Sequence, residues 1–258
     1  MQTISIANQK GGVGKSTTAQ NLASGLKLAG KRVLIVDFDP QSNTTDTICG
    51  FAFKPEYTIK DVLDDECSIR DAIVSTDKTD IIPGSKELAG QESTYASDYA
   101  STLMLYSGLK EIEDEYDYVV IDTPPNLGVF MISGLIASDS VIVVADAETY
   151  AITGLTALID TVQKANKARR PLSAKPLEIE GVLLTMYNKE HALDRKVAEK
   201  LSDQLGPLNL RMLDSVIGYS QELKNAQERE QTIYEYRPKS KGAIDYANLV
   251  AEIVKKFG

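Results

Sequence analysis

The sequence predicts a doubly wound α/β fold, in which helices cover both faces of a mostly parallel β-sheet. Short apolar runs rich in Val and Ile recur along the 258-residue chain and are typical of fully buried strands. Segments with a helical spacing of apolar residues separate these runs, an alternation that favours a parallel sheet. Polar residues directly follow several strands, and ligands of such folds bind at the carboxyl ends of the strands. The sequence therefore predicts a binding site at that edge of the sheet.

Each predicted strand is a run of apolar, mostly β-branched residues bounded by turn residues. These strands cover residues 4–7, 33–36, 81–82, 118–121, 141–145, 179–186 and 210–216. Each predicted helix has apolar residues three or four positions apart. The helices cover residues 19–29, 101–115, 127–137, 152–168, 192–205 and 241–257. Gly30 marks the end of the first helix. With no long linker and no internal repeat, we predict one domain over residues 1–258.

Composition limits the classes of protein to which the chain can belong. Its apolar fraction of 43% supports a substantial core, yet no run approaches the length of a membrane span. No signal peptide is visible, and the two cysteines, Cys49 and Cys67, indicate neither a disulfide framework nor a metal site. We therefore expect a cytoplasmic protein. The net charge of −9 disfavours a surface that attracts nucleic acid over its whole extent.

The most informative segment covers residues 9–18 (QKGGVGKSTT), between the first strand and the first helix. A glycine-rich turn there aims backbone N–H groups at one point, where the helix N-terminus adds partial positive charge. Lys15 can reach the outer phosphates of a nucleotide, and the Ser16 hydroxyl can bind Mg²⁺. The predicted phosphate-binding residues are Gly11, Gly12, Val13, Gly14, Lys15, Ser16 and Thr17. The alternative is an incidental glycine-rich turn.

This loop departs from the common pattern G-x-x-x-x-G-K-[ST], because Gln9 occupies the position of the first glycine. Lys10 adds a second lysine at the start of the loop. The combination resembles the deviant Walker A motif of the ParA/MinD ATPases, a family of P-loop NTPases. The resemblance implies that Lys15 binds phosphates within its own subunit. It also implies that Lys10 reaches across a nucleotide-sandwich dimer to the partner's phosphates.

Two carboxylates follow the second strand in the segment 37–43 (DFDPQSN). Asp37 and Asp39 point the same way if the chain stays extended, and Pro40 favours that conformation at Asp39. An aspartate at this point can hold a water or contact the Mg²⁺ shell, although an acidic turn is the alternative. The stretch resembles the DxDPQxN segment of ParA proteins. The resemblance implies that Asp39 places or activates the attacking water, and that Asp37 supports Mg²⁺ and the P-loop.

A third carboxylate, Asp122, ends the apolar strand 118–121 and is followed by Thr-Pro-Pro. An apolar strand that ends in Asp is the Walker B arrangement, in which the carboxylate holds Mg²⁺ directly or through water. A plain strand-ending turn is the alternative. We therefore predict Ser16, Asp37 and Asp122 as the residues that organise the metal.

Two later segments extend the resemblance along the chain, residues 147–151 (AETYA) and residues 183–188 (LLTMYN). The second resembles a family strand whose end lies near the nucleotide base. Asn188 is therefore a candidate hydrogen-bond partner of adenine. A helix-capping asparagine is an equally open interpretation.

The C-terminal third departs from the family in the residues that bind DNA without sequence preference. Residues 217–226 (IGYSQELKNA) lack the proline and both arginines of the corresponding family segment. Nonspecific DNA therefore stays a possible partner without its usual arginines. A cluster of basic residues (Lys164, Lys167, Arg169, Arg170 and Lys175) is interpreted as solvated surface. The last helix carries an apolar stripe of Ile244, Leu249, Ile253, Val254 and Phe257, and we expect it to pack on the sheet and not on a membrane.

The resemblance implies an ATP hydrolase that acts on the β–γ phosphoanhydride, with ATP/ADP and Mg²⁺ as its cofactors. It implies a homodimer on ATP binding, with Lys10, Lys15 and Asp39 as the catalytic residues. Plasmid or chromosome partitioning with a ParB-type adaptor would be the output, in the cytoplasm or in association with the nucleoid. The alternative is a MinD-like ATPase that positions the division site or another cargo.

Overall fold

A seven-stranded sheet runs through the computed structural model, which describes residues 1–147 and 151–258, without the side chains of 151–153. The strands are β1 (Gln2–Ala7), β2 (Val33–Asp37), β3 (Asp80–Ile82), β4 (Tyr118–Asp122), β5 (Ser140–Asp146), β6 (Glu178–Tyr187) and β7 (Met212–Gly218). Their order in the sheet is β3-β2-β4-β1-β5-β6-β7, and every neighbouring pair is parallel. The predicted mostly parallel, doubly wound sheet is confirmed.

Helices connect the strands and cover the sheet. They are α1 (Lys15–Leu28), α2 (Asn43–Cys49), α3 (Ile59–Leu63), α4 (Glu92–Ser97), α5 (Ser101–Glu111), α6 (Val129–Ala137), α7 (Ala151–Arg169), α8 (Ala192–Leu205), α9 (Gln221–Glu228), α10 (Ile233–Tyr236) and α11 (Lys241–Phe257). Short 3₁₀ turns cover Lys86–Leu88, Arg170–Leu172 and Gly206–Leu208.

Alternate residues of each central strand enter different cores, as the two-residue period of a strand requires. In β2, Val33 and Ile35 pack with helices α1 and α11 on one face, whereas Leu34 and Val36 pack with α3, α5 and α6 on the other. Helices α6, α7 and α8 complete the second face over β5 and β6. Burial on both faces explains why the strands are near-continuous apolar runs.

The strands lie within two residues of their predicted ends, whereas several helix boundaries were wrong. Helix α1 begins at Lys15 and not at residue 19, because the phosphate-loop backbone turns directly into the helix. Helix α5 ends at Glu111 and not at residue 115, since the acidic residues that follow would oppose the helix dipole. Five short helices were missed, because four to eight residues are too few to show an apolar period.

Strand β1 lies between β4 and β5, and the chain turns from one half of the sheet to the other around it. Such a reversal opens a crevice at the carboxyl ends of the central strands. There the register pairs Asp37 of β2 with Asp122 of β4. The fold thus brings the loop after β1 beside two strand-end carboxylates.

Candidate functional site

The loop between β1 and α1 is shaped by its glycines and held by two side chains. Gly12 and Gly14 have φ angles of 78° and 89°, in the left-handed region that L side chains rarely adopt. Asn8 accepts the Lys10 N–H at 2.9 Å through Oδ1 and donates to the Val144 carbonyl through Nδ2. The Thr185 hydroxyl donates to the Val13 carbonyl at 2.8 Å. Strands β5 and β6 therefore fix the loop against the sheet.

A cleft of about 410 Å³ opens at this loop. One end is lined by the loop and the start of α1, through Gly11, Gly12, Gly14, Lys15, Ser16 and Thr17. Asp39, Gln41, Asn43 and Pro125 line it from the neighbouring strand ends. The volume is typical of a site for a small molecule.

Lys15 is a buried cation at the loop end of the cleft. Its Nζ donates to the Lys10 carbonyl at 3.3 Å. Burial lowers the pKa of the Lys15 ammonium, and the negative charges of Asp122 and Asp39 offset part of that effect. A desolvated lysine between N–H donors and carboxylates is suited to bind a phosphate anion.

Asp122 is fully buried, and only one of its carboxylate oxygens has a protein partner among the described residues. Oδ2 accepts the Thr44 hydroxyl at 2.6 Å, whereas Oδ1 has no hydrogen-bond partner. Burial raises the pKa of the Asp122 carboxyl, while the nearby hydroxyls of Thr44 and Ser16 lower it. A buried oxygen without a partner requires an explanation such as an ion.

The unpaired Asp122 oxygen and the Ser16 hydroxyl fit Mg²⁺, because Mg²⁺ prefers oxygen ligands. No group of three or more His, Cys, Asp or Glu is placed to hold a metal in the described part of the chain. This also fits Mg²⁺, which is usually held by one or two carboxylates together with phosphates and waters.

Asp37 and Asp39 have different surroundings although they lie two residues apart. The Asp37 carboxylate accepts the Thr45 N–H and hydroxyl at 2.8 and 2.6 Å, and its other oxygen accepts the Asp39 N–H at 3.3 Å. Burial raises the pKa of the Asp37 carboxyl, and the nearby charge of Asp122 raises it further. Asp39 instead lines the cleft, with Oδ1 accepting the Gln41 N–H at 2.9 Å. Only the second carboxylate therefore faces the cleft.

Lys10 does not line the cleft. Its Nζ lies 2.6 Å from Oδ2 of Asp146, at the carboxyl end of β5. The Lys10 side chain is 41% exposed, whereas that of Asp146 is 11% exposed. The two lysines of the loop therefore have different environments, one buried in the cleft and the other at the surface beside a carboxylate.

Comparisons with known proteins decide the family. A family model described as "AAA domain" matches residues 1–175. The sporulation initiation inhibitor protein Soj of Bacillus subtilis is 37% identical over 252 residues, which cover 97% of each chain. The chromosome partitioning protein ParA of Caulobacter vibrioides is 34% identical over 260 residues, covering 99% of this chain and 95% of that protein. The chain belongs to the ParA/Soj group of P-loop ATPases.

A solved structure that is similar to this ParA-family chain contains a bound nucleotide and a metal. Cobyrinic acid a,c-diamide synthase from Mycobacterium smegmatis, with bound ADP and magnesium, superposes with a TM-score of 0.84 at 29% identity. The match covers 99% of this chain and 94% of that one. The solved neighbour therefore supports the predicted cofactors, ATP/ADP and Mg²⁺.

The residues that line the end of the cleft away from the P-loop were not predicted from the sequence. This end is lined by Met186, Ile217, Tyr219 and Leu223, which come from the ends of β6 and β7 and the start of α9. Tyr219 is 55% exposed, and the Lys224 ammonium lies 5.4 Å from its ring centroid. These apolar side chains and the Tyr219 ring are suited to contact a nucleotide base. The spacing of residues in the sequence does not reveal this surface, because the ends of two strands form it and a whole helix separates those strands along the chain.

Asn188 lies outside this lining. Its Oδ1 accepts the Glu190 N–H at 3.1 Å, and its backbone N–H donates to Asp194 at 2.9 Å. These bonds close the turn before helix α8, for which His191 is the capping position. A contact between Asn188 and adenine stays a prediction. The similar segment 147–151 lies partly outside the described residues, which omit 148–150.

Two predictions, one for Arg169 and one for Ile244, were wrong. Arg169 is buried and not part of a solvated cluster, because its guanidinium donates to the carbonyls of Ile136, Ser138 and Lys175. Ile244 is 55% exposed and not part of the packed stripe of α11.

The rest of helix α11 packs on the sheet, as predicted. Leu249 and Ile253 are buried in the same core as helix α1, and Val254 and Phe257 pack against that core. No helix in the described ranges is both long and apolar enough to cross a membrane.

Proposed function

We propose that this chain is a ParA-like ATPase that binds Mg·ATP, closes into a nucleotide-sandwich dimer and hydrolyses ATP. One observation carries the proposal: Lys15 and Asp39 line a single cleft from separate strand ends, beside the buried Asp122 with its unpaired oxygen. This combination supplies a phosphate-binding cation, a carboxylate for water and a carboxylate for a metal. The Soj and ParA relatives support the same assignment.

The proposed division of labour follows from these environments. Backbone N–H groups of residues 11–17 and the Lys15 ammonium bind the phosphates. Ser16 and Asp122 hold Mg²⁺, which when bound neutralises charge on the phosphate oxygens. Asp39 faces the cleft and is assigned to position the attacking water. Asp37 supports the metal site indirectly, because Thr45 and Asp39 occupy its oxygens.

Lys10 is assigned to the partner subunit's nucleotide. Its side chain lies outside the cleft of its own chain and is partly exposed. A second copy that faces the cleft would compete with Asp146 for the Lys10 ammonium. The active site would then be complete only in the dimer, so that ATP binding and assembly are linked.

The proposed output is partitioning of a plasmid or chromosome with a ParB-type adaptor, inside the cytoplasm. It is supported by the similarity to the chromosome partitioning protein ParA of Caulobacter vibrioides. Association with the nucleoid would need a DNA-binding surface without the usual arginines, and Arg169 is committed to backbone carbonyls.

The MinD-like alternative is less well supported, because helix α11 packs against the rest of the protein. Its apolar face lies in the core, and Lys256 binds the buried carboxylate of Glu180 at 2.5 Å. A helix that binds membranes needs its apolar face and its cations at the surface.

Sedimentation velocity with a non-hydrolysable ATP analogue and Mg²⁺ tests the proposal. We expect a nucleotide-dependent dimer for the wild type and a monomer for Lys10→Ala, which should still bind nucleotide. Lys54→Ala, at an exposed position away from the cleft, is the matched control and should dimerise. Asp39→Ala should bind ATP and release phosphate at least about 100-fold more slowly, the lower end of what a positioned base contributes.

An unchanged sedimentation profile for Lys10→Ala would remove the trans assignment. Undiminished phosphate release by Asp39→Ala would remove its catalytic assignment. ATP-dependent pelleting with liposomes of anionic lipid would favour the MinD-like alternative.

A further inference from the structure

A chain of three buried side chains connects helix α1 to the metal-site carboxylate. Gln20 Nε2 donates to the Thr44 hydroxyl oxygen at 3.2 Å, and that hydroxyl donates to Asp122 Oδ2 at 2.6 Å. All three residues are almost fully buried. Neither Gln20 nor Thr44 was singled out by its sequence pattern, because they lie 24 residues apart on different elements.

The direction of these hydrogen bonds is fixed by the available donors. A hydroxyl has one proton, and a carboxylate only accepts, so the Thr44 proton lies on Asp122. The Gln20 amide nitrogen fills a lone pair of the Thr44 oxygen and also donates to the Asn43 carbonyl at 3.2 Å. Because both acceptors need the same nitrogen, the Gln20 amide has one orientation and the hydroxyl cannot turn away without losing a bond.

The result is a carboxylate with two unlike oxygens. Oδ2 of Asp122 is held by Thr44, whereas Oδ1 is buried without a protein partner in the described part of the chain. Rotation of the Asp122 side chain would break the short Thr44 bond and leave the hydroxyl unsatisfied. Thr44 therefore fixes which oxygen stays available at the site.

Thr45, the next residue, holds the carboxylate at the end of the neighbouring strand β2. The Thr45 hydroxyl and N–H hold one oxygen of Asp37, which is the register partner of Asp122. Consecutive threonines at the start of helix α2 thus fix both strand-end carboxylates. Helix α2 also follows the loop that carries Asp39, so the positions of Asp39 and Asp122 are linked through it.

We propose that Gln20 and Thr44 are positioning residues that orient the Asp122 carboxylate for Mg²⁺. The inference rests on the proposed function, since it takes Asp122 as a metal ligand. Partners that orient a metal ligand typically change metal affinity or activity by about 10–100-fold when they are removed. This range is expected for removal of the Thr44 hydroxyl, which contacts Asp122 directly, and a smaller loss is expected for removal of Gln20, which acts through Thr44.

The test is a Mg²⁺ titration of the affinity for a fluorescent ADP analogue, with a second measurement in EDTA. Thr44→Val keeps the shape of the side chain and removes the hydroxyl. We expect at least tenfold weaker Mg²⁺ binding, with nucleotide affinity in EDTA unchanged within about twofold. Thr44→Ser restores the donor and should return Mg²⁺ binding to within about threefold of wild type.

Two further variants separate positioning from packing. Thr47→Val removes a hydroxyl from another buried threonine of helix α2 and should leave Mg²⁺ binding unchanged. Gln20→Leu leaves the Thr44 hydroxyl in place but removes its partner, and an intermediate loss of about threefold is expected. If Thr44→Val does not fold, Gln20→Leu and Thr44→Ser decide the question with the same titration.

Normal Mg²⁺ affinity in Thr44→Val, or an equal loss of affinity in EDTA, would overturn the inference. If Thr44→Val does not fold, unchanged Mg²⁺ affinity in Gln20→Leu would do the same. If the wild-type protein itself binds ADP without any Mg²⁺ dependence, the proposed function has failed at the metal site.

Discussion

The ion pair between Lys10 and Asp146 stabilises the monomer and should therefore weaken dimerisation. If Lys10 serves the partner's phosphates, it must leave Asp146 when the dimer closes. Asp146→Asn keeps the shape of the side chain but removes the charge, so it lowers the cost of moving Lys10. We therefore expect this variant to dimerise more tightly than wild type.

The magnitude follows from the geometry of the pair. Exposed ion pairs contribute about 0.2–1 kcal/mol. The 2.6 Å separation and the burial of Asp146 place the energy of this pair near the upper end of that range. The energy does not exceed the range, because the Lys10 side chain is 41% exposed to solvent. A symmetric dimer breaks two such pairs, or about 2 kcal/mol. The dissociation constant of the dimer should then fall by about 30-fold.

Sedimentation velocity over a range of protein concentrations, with a non-hydrolysable ATP analogue and Mg²⁺, measures this constant directly. Asp203→Asn makes the same charge change at an exposed site on helix α8 and serves as the control. High salt should narrow the difference between wild type and Asp146→Asn, because screening weakens the pair. A dimer that is no tighter than wild type would refute the reasoning, and a weaker one would show that Asp146 acts in the closed state.

Two further predictions concern the base and pH. Tyr219→Ala should weaken ATP binding by about tenfold, because stacking of a base on an aromatic ring contributes about 1–3 kcal/mol and Tyr219 is half exposed. Asn188→Ala should change it by less than about twofold; equilibrium titration compares the two, and a larger loss at Asn188 would favour the original adenine prediction. The raised pKa values of Asp37 and Asp122 mean that the folded state retains protons which the unfolded chain has lost. Their contribution to stability is therefore present at low pH and is lost as pH rises. The free energy of unfolding of the nucleotide-free protein should fall by up to about 1.4 kcal/mol per pH unit for each carboxyl, starting above about pH 4. The contribution of Asp122 ends near its folded pKa of about 6, and that of Asp37 near its folded pKa of about 8. Urea unfolding measures this free energy, and Asp37→Asn should flatten the decline; an equal slope in that variant would contradict the assignment to Asp37.

The fold was largely predictable because each central strand is buried on both faces. The run at residues 33–36 has no polar position, and only a strand covered on both sides tolerates that pattern. Helices α3 and α10 also carry a local signal, since Thr58 with Asp61 and Thr232 with Glu235 form capping boxes. They were missed because their apolar segments are too short to show a helical period.

The sequence by itself determined the chemistry of the phosphate end of the site. The P-loop is contiguous, so the glycines, Lys15 and Ser16 carry their geometry in their spacing, and the extra Lys10 marks the family. The carboxylates Asp39 and Asp122 were predictable because each lies at the carboxyl end of a buried strand.

Tertiary structure alone decided how those groups are held and what remains unpaired. Sheet order places Asp37 beside Asp122, and the same packing brings Thr44 to one Asp122 oxygen and Asp146 to Lys10. It also separates Asp37, which is enclosed by Thr45, from Asp39, which faces the cleft. These contacts join residues up to 136 positions apart, and no local pattern encodes them. Local backbone preferences specify a loop, whereas the partners of a buried charge depend on which strands lie side by side.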